Sequence, residues 1–356
     1  MAEATAAVKM GARNWLLIGA AVVITGFYAL CGLAAFETQI DHDFLAEYTG
    51  GSLAFSAGLY DPAVQFRRQQ EIFPNPQRQL FPFVRPAFYA WAVWPLAQLP
   101  YRTAYSVWLC LQYGMMIWTC FRAWHRFGPA SIILCVVFWP VAVGIFAAQD
   151  SALILVMIFE ALLAIEQRRY WRAGAIFGLT LFKFHLMLLV PFVILLRRNW
   201  RMLGGYLAAA VPLAAACVAW GHPASYIALL QKDDIFNPSQ GMMINLRAIA
   251  VNFGTPWILI PLLLFVVAVV IYAARISEDW RWFGAAVAGS LLIVPHVYLY
   301  DLASLLVFLL GALTSTYFAP RSRCTCAPDR TVARPVQSTT TSTPSLPQSG
   351  ISFAAL

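Results

Sequence analysis

Long apolar runs, repeated along the whole chain, restrict the fold more than any other feature. They lie at Asn14–Phe36, Thr103–Phe121, Ala130–Ala148, Ser151–Ile165, Leu203–Trp220, Trp257–Tyr272, Phe283–Tyr298 and Leu302–Tyr317. A hydrocarbon layer offers backbone N–H and C=O groups no partner, so a spanning segment must satisfy them internally, as a helix does. The chain is 61% hydrophobic and 11% charged, whereas soluble domains carry roughly a quarter charged residues. These runs predict an all-α polytopic membrane protein with eight full spans. The run Phe88–Leu99, bounded by Pro86 and Pro100, is too short to cross and reads as an interfacial or re-entrant piece.

The net charge of +8 does not point to nucleic acid, because the basic residues fall in short clusters between apolar runs, as in cytoplasmic loops. Lys9 and Arg13 precede a first run longer than a cleaved signal peptide's apolar core. A retained anchor with a cytoplasmic N-terminus is the reading. Between Arg172 and Arg197, mostly apolar residues carry Lys183 and His185 in their middle. As a single span this segment would move Arg197, Arg198, Arg201 and the later basic residues outside. As a hairpin of two half-helices it keeps them inside, where Lys and Arg concentrate. Irregular backbone at membrane depth needs a protein or water-lined surround, so the hairpin predicts a cavity. The expected organisation is a membrane domain over residues 1–318, with large extracytoplasmic loops at 37–86 and 221–254. A disordered Ser/Thr/Pro-rich cytoplasmic tail over 319–356 follows. Cys324 and Cys326 alone make neither a disulfide framework nor a zinc site.

The first external loop concentrates carboxylates: Glu37, Asp41, Asp43, Glu47, Asp61 and Glu71. Asp43 and Glu47, four residues apart, share one face if Asp43–Ala57 is helical. Held near a cavity and partly desolvated, one of them could take a proton from a sugar hydroxyl. A solvated polar face on an interfacial helix fits the same spacing.

Asp43-Phe44 with Tyr48, then Gly58-Leu59-Tyr60-Asp61-Pro62, resembles the first external loop of glycosyltransferase family 87. The resemblance continues through Pro86-Ala87-Phe88, Pro95-Leu96, Gln149-Asp150, Gly174 and Gly178 leading to Lys183, Arg197-Arg198, Asn237 with Ser239, and Pro295-His296, over residues 10–318. Two positions depart from the family pattern: Tyr-Pro-Pro reads Arg85-Pro86-Ala87, and Gly-Gln-Asn reads Ala148-Gln149-Asp150. The resemblance implies a GT-C-like bundle that moves a sugar, mannose above all, from a polyprenyl phosphate to a lipid or glycan hydroxyl with inversion.

That resemblance makes Asp43 the catalytic base, with Glu47 and Asp41 as secondary candidates. The departing phosphate calls for Lys183, His296, Arg85 and Arg247, and His185 also lies in reach along the sequence. Lys183 could equally snorkel to an interface or pair with Glu160. Gln149 and Asp150 could cap a turn, and Asn237 is a further secondary candidate. No metal and no cofactor are expected, since the lipid-linked sugar is a substrate; membrane lipids are the other partners. The expected location is a bacterial-type plasma membrane with the site on its outer face. A secondary transporter and a non-catalytic lipid-handling protein remain alternatives, though the internal repeats common in transporters are not visible.

Overall fold

The computed structural model describes residues 43–74, 79–232 and 243–317, with 19, 22–26 and 30 from the first apolar run. The chain divides into units Met1–Tyr317 and Phe318–Leu356, and every described residue lies in the first. Asp41, Asn237 and the polar tail lie outside the described residues, as does most of the first anchor.

The described residues are helical, with no strand. In chain order they form α1 (Phe44–Ser52), α2 (Pro62–Ile72), α3 (Ala87–Ala97), α4 (Tyr101–Phe127), α5 (Ala130–Val137), α6 (Trp139–Phe146), α7 (Ser151–Glu166) and α8 (Tyr170–Gly178). A 3-10 segment, Leu179–Met187, then leads into α9 (Leu189–Leu196), α10 (Trp200–Trp220), α11 (Pro223–Leu230) and α12 (Leu246–Asn252). The last elements are α13 (Leu259–Ile276), α14 (Arg281–Ile293), a 3-10 segment Leu299–Leu305, and α15 (Leu306–Tyr317).

Helix α7 is the centre. It is buried on nearly every side, with Leu155, Ile158, Phe159 and Leu162 fully enclosed. That all-round apolar character is why it sits inside and not at the edge. It packs against α4, α6, α8, α15 and the Leu299–Leu305 segment. The most extensive helix pair is α8 on α10. There a Cβ on Gly174 would strike the Met202 carbonyl, and one on Gly205 the Trp171 carbonyl. Only glycine permits this backbone approach, the packing that small residues provide between membrane helices.

Among the described residues, fewer helices than the eight expected spans are individually long and apolar enough to cross, and most of the first expected span lies outside them. Two described stretches, Trp200–Trp220 and Pro256–Ile276, are long and apolar enough to cross a membrane. A third appears if Tyr170–Met187 and Leu189–Leu196, bent by 115° to one another, count as one broken span. Ala130–Ala148 is not one helix, because Pro140 cannot donate to the preceding turn; the chain breaks at Phe138 (ψ 96°). The helix expected over Asp43–Ala57 is shorter, ending at Ser52. Near Lys183 the backbone leaves helical geometry (φ −121°, ψ 46°), so the irregular segment does fall where the sequence places its buried cation.

Candidate active site

Five distant stretches meet at one end of the bundle. Asp43 opens α1, Arg85 precedes α3, Gln149 and Asp150 precede α7, Lys183 sits at the break after α8, and His296–Asp301 follows α14. Asp43, Glu47, Arg85, Gln149, Lys183, His185, His296, Tyr298, Tyr300 and Asp301 line one cavity of about 340 Å³.

The local reasons for this arrangement are visible in the sequence. Asp61 caps α2 by accepting from the Ala63 and Val64 N–H groups, with Pro62 at the first helical position. Tyr60 donates to the Arg85 carbonyl at 3.0 Å. Gln65 and Gln69 each exchange two hydrogen bonds with the backbone of the 79–84 segment, at Phe83 and Phe81. The Gly58–Pro62 motif is therefore structural: it starts the helix that seats Arg85. Ala148 takes a left-handed backbone (φ 52°), the conformation glycine adopts most easily, and its carbonyl accepts from Trp108 Nε1 at 2.9 Å. This turn directs Gln149 towards Asp43 and Asp150 into the core.

Asp43 stands at the N-terminus of α1, yet its carboxylate does not cap that helix. It accepts instead from Gln149 Nε2 at 2.5 Å, while its backbone N–H donates to the Ala147 carbonyl. Arg85 Nε lies 3.5 Å from Glu47, and its terminal nitrogen is within 3.3 Å of both Gln149 and Asp150. Lys183, 2% exposed, bridges Asp150 at 2.5 Å and Asp301 at 3.1 Å. Asp301 Oδ2 in turn accepts the Tyr298 N–H. His185 and His296 stack edge-on at 6.2 Å, with Tyr298 5.0 Å from His296.

Two cations thus face four carboxylates. Burial raises the Asp43 carboxyl, against the pull of Gln149, Arg85 and Lys183. Burial also pushes Glu47 up to about 8, and Arg85 only partly offsets it. For Asp150 burial again acts upwards, but Arg85 and Lys183 together reverse it and hold the carboxyl below its usual range. Arg85 and Lys183 are therefore balanced by Asp150 and Asp301, while Glu47 is protonated at neutral pH and its Oε2 has no hydrogen-bond partner.

This predicts a pH-dependent stability. A carboxyl with a folded-state pKa near 8 and an ordinary unfolded value favours the folded state below the unfolded value. That contribution is lost as pH rises through the folded one. Unfolding of the wild-type protein in detergent should become easier as pH rises from about 4.5 to about 8 and level off above that, and Glu47→Gln should flatten that dependence. Equal slopes in the two proteins would remove Glu47 as the responsible group.

Other candidates lie elsewhere. Arg247, on α12, does not line the cavity. Glu160 pairs with Arg122 and Arg172, not with Lys183. Asp301 as a lysine partner and the wall from Gln79 to Pro82 were not singled out from the sequence. A usable signal existed for Asp301, because a lysine inside an apolar stretch requires a compensating carboxylate, and Asp150 and Asp301 both stand at ends of apolar runs. Among the described residues, no three His, Cys, Asp or Glu side chains are grouped to hold a metal ion.

Comparison with known proteins finds no match among curated proteins and none among solved structures. The profile of glycosyltransferase family 87 matches residues 83–297. The match takes in Arg85, Gln149, Asp150, Lys183, His185 and His296, and the cavity joins to them Asp43 and Glu47 from upstream and Asp301 from downstream. With more than half of its length matched, this apolar helical chain belongs to glycosyltransferase family 87.

Proposed function

We propose that this glycosyltransferase is a GT-C-type membrane enzyme that transfers mannose from a polyprenyl phosphate to a lipid or glycan hydroxyl, with inversion, on the extracytoplasmic face. Asp43 is the general base. It removes the proton from the acceptor hydroxyl as that oxygen attacks the anomeric carbon from the side opposite the phosphate. The new carbon–oxygen bond forms as the bond to phosphate breaks, and the polyprenyl phosphate leaves without needing an acid. One observation carries the reading: the Asp43 carboxylate, free of any capping role, faces a cavity that also holds Arg85, Lys183, His185 and His296.

The phosphate contacts divide between these groups. Lys183 is already enclosed by two carboxylates, so it sets the potential of the cavity more than it grips a ligand. Arg85, one of whose two carboxyl partners, Glu47, gives up its charge below about pH 8, and the two histidines are the groups that meet the donor. A phosphate beside Asp43 needs such compensation, since two anions at about 4 Å repel by several kcal/mol at protein-like dielectric.

The reaction is tested with purified protein in proteoliposomes, supplied with radiolabelled polyprenyl phosphates carrying mannose, glucose or arabinofuranose and with membrane lipid extract as acceptor. Label appearing in a covalent product from the mannosyl donor is the expected result. Label in no product, from any donor, would end the enzymatic reading. Solute flux without product would favour a transporter.

A further inference from the structure

A second polar cavity, of about 440 Å³, lies among Arg168, Tyr170, Arg197, Glu278, Trp280 and Trp282. It is at the other end of the bundle. Asn199, on its wall, caps the start of α10. Beyond the far end of α10, Tyr226 on α11 donates to Val84, which lines the active cavity. A helix of 21 residues separates the two ends by roughly 30 Å.

Most charges around this second cavity are already committed. Arg126 grips Glu166 with two hydrogen bonds, at 2.8 and 2.9 Å. Arg197 donates to the Ala274 and Ser277 carbonyls and lies 5.1 Å from the Trp282 ring. Asp279 pairs with Arg281 at 3.2 Å. Arg168, on the turn between α7 and α8, and Glu278, on the turn between α13 and α14, are different. Both are exposed, neither has a side-chain partner among the described residues, and they do not pair with each other. One uncommitted cation and one uncommitted anion on separate walls complement a zwitterion.

The position of the cavity says where that zwitterion comes from. The apolar stretches of two membrane-crossing helices stop beside it, one beginning at Trp200 and the other ending at Ile276. Tyr170, Trp280 and Trp282 supply the aromatic lining usual where hydrocarbon gives way to headgroups. We propose that this cavity binds the phosphoethanolamine headgroup of an aminophospholipid. The phosphate meets Arg168, and the ammonium, with three N–H donors, meets Glu278. In the topology proposed above this is the cytoplasmic leaflet. The site is independent of the sugar-transfer chemistry.

The test uses the full chain in nanodiscs of equal parts phosphatidylethanolamine, phosphatidylcholine and phosphatidylglycerol, extracted with mild detergent, with retained lipids quantified by mass spectrometry. Wild-type protein should retain phosphatidylethanolamine in preference to both others. Arg168→Asn, whose side chain tolerates the left-handed backbone at this position (φ 57°), and Glu278→Gln should each cut that preference by roughly tenfold, the scale of one charge-assisted hydrogen bond. Both side chains are exposed, so the unfolding midpoint should be unchanged. Preference for either other lipid, or an undiminished preference in both variants, would overturn the proposal. Equal affinity for soluble phosphoethanolamine in lipid-free detergent would overturn the assignment to a lipid.

Discussion

Replacing Asp43 with asparagine is expected to lower sugar transfer by about 10²–10⁴-fold, the usual contribution of a positioned general base. Binding of a non-reactive polyprenyl phosphate should be unchanged. Asparagine keeps the size of the side chain and an oxygen able to accept from Gln149, whose amide lies 2.5 Å from the carboxylate. The backbone bond from residue 43 to Ala147 is untouched by the change. What disappears is only the capacity to receive a proton. Glu47 is a poor substitute near neutral pH, since burial pushes its carboxyl up to about 8. Because burial also raises Asp43, the acid limb of the wild-type rate profile should lie above the ordinary carboxylate range, with activity falling as pH drops through it. Near wild-type turnover in the variant would transfer the role to Glu47 or Asp41. Loss of phosphate binding along with turnover would mean that Asp43 shapes the site and performs no chemistry.

Much of this site can be read from residue spacing, for physical reasons that differ from residue to residue. Asp43 and Glu47, one helical turn apart, face one cavity as the 3.6-residue period requires. Lys183 stands out because a cation in an apolar stretch must be compensated or functional. The choice of Asp150 and Asp301 as its partners depends on chain separations of 33 and 118 residues, which no local pattern encodes. The two departures from the family pattern prove to face each other: Arg85 and Asp150 form an ion pair at 3.3 Å. A tyrosine and an asparagine could satisfy one another there by a neutral hydrogen bond, so the two changes are understandable only together. Ala148 is legible only in hindsight, because its left-handed turn is one where glycine would be expected. Span boundaries were least legible. Apolar composition does not distinguish one long helix from two short ones, and the break at Phe138 follows from a single proline. Arg247 shared the charge and the side of the membrane expected of a phosphate ligand, but its helix packs against α13 and α14, away from the cavity.

Lys183→Ala should destabilise the folded protein by about 3–5 kcal/mol, the cost of removing one partner from a buried ion pair. Its ammonium is 2% exposed, and its two carboxylates are 0% and 3% exposed, so solvent cannot replace it. Without it, Asp150 keeps only Arg85 and Asp301 loses its one ion-pair partner among the described residues. Two anions would then share a closed space. Against a total stability of roughly 5–15 kcal/mol, a loss of that size would leave little folded protein at elevated temperature. The distinction from a ligand-binding lysine lies in the rescue. Neutralising the stranded partner as well, in Lys183→Met with Asp301→Asn, should recover a large part of the stability, because replacing both members of a buried pair costs far less than removing one. Recovery of donor binding should follow recovery of the fold if Lys183 acts by setting the potential around Arg85 and the histidines. Thermal unfolding and binding of a polyprenyl phosphate in detergent, measured on the same preparations, separate the two roles. A Lys183→Ala protein that unfolds at the wild-type midpoint and has lost only phosphate affinity would show that the lysine grips the donor directly.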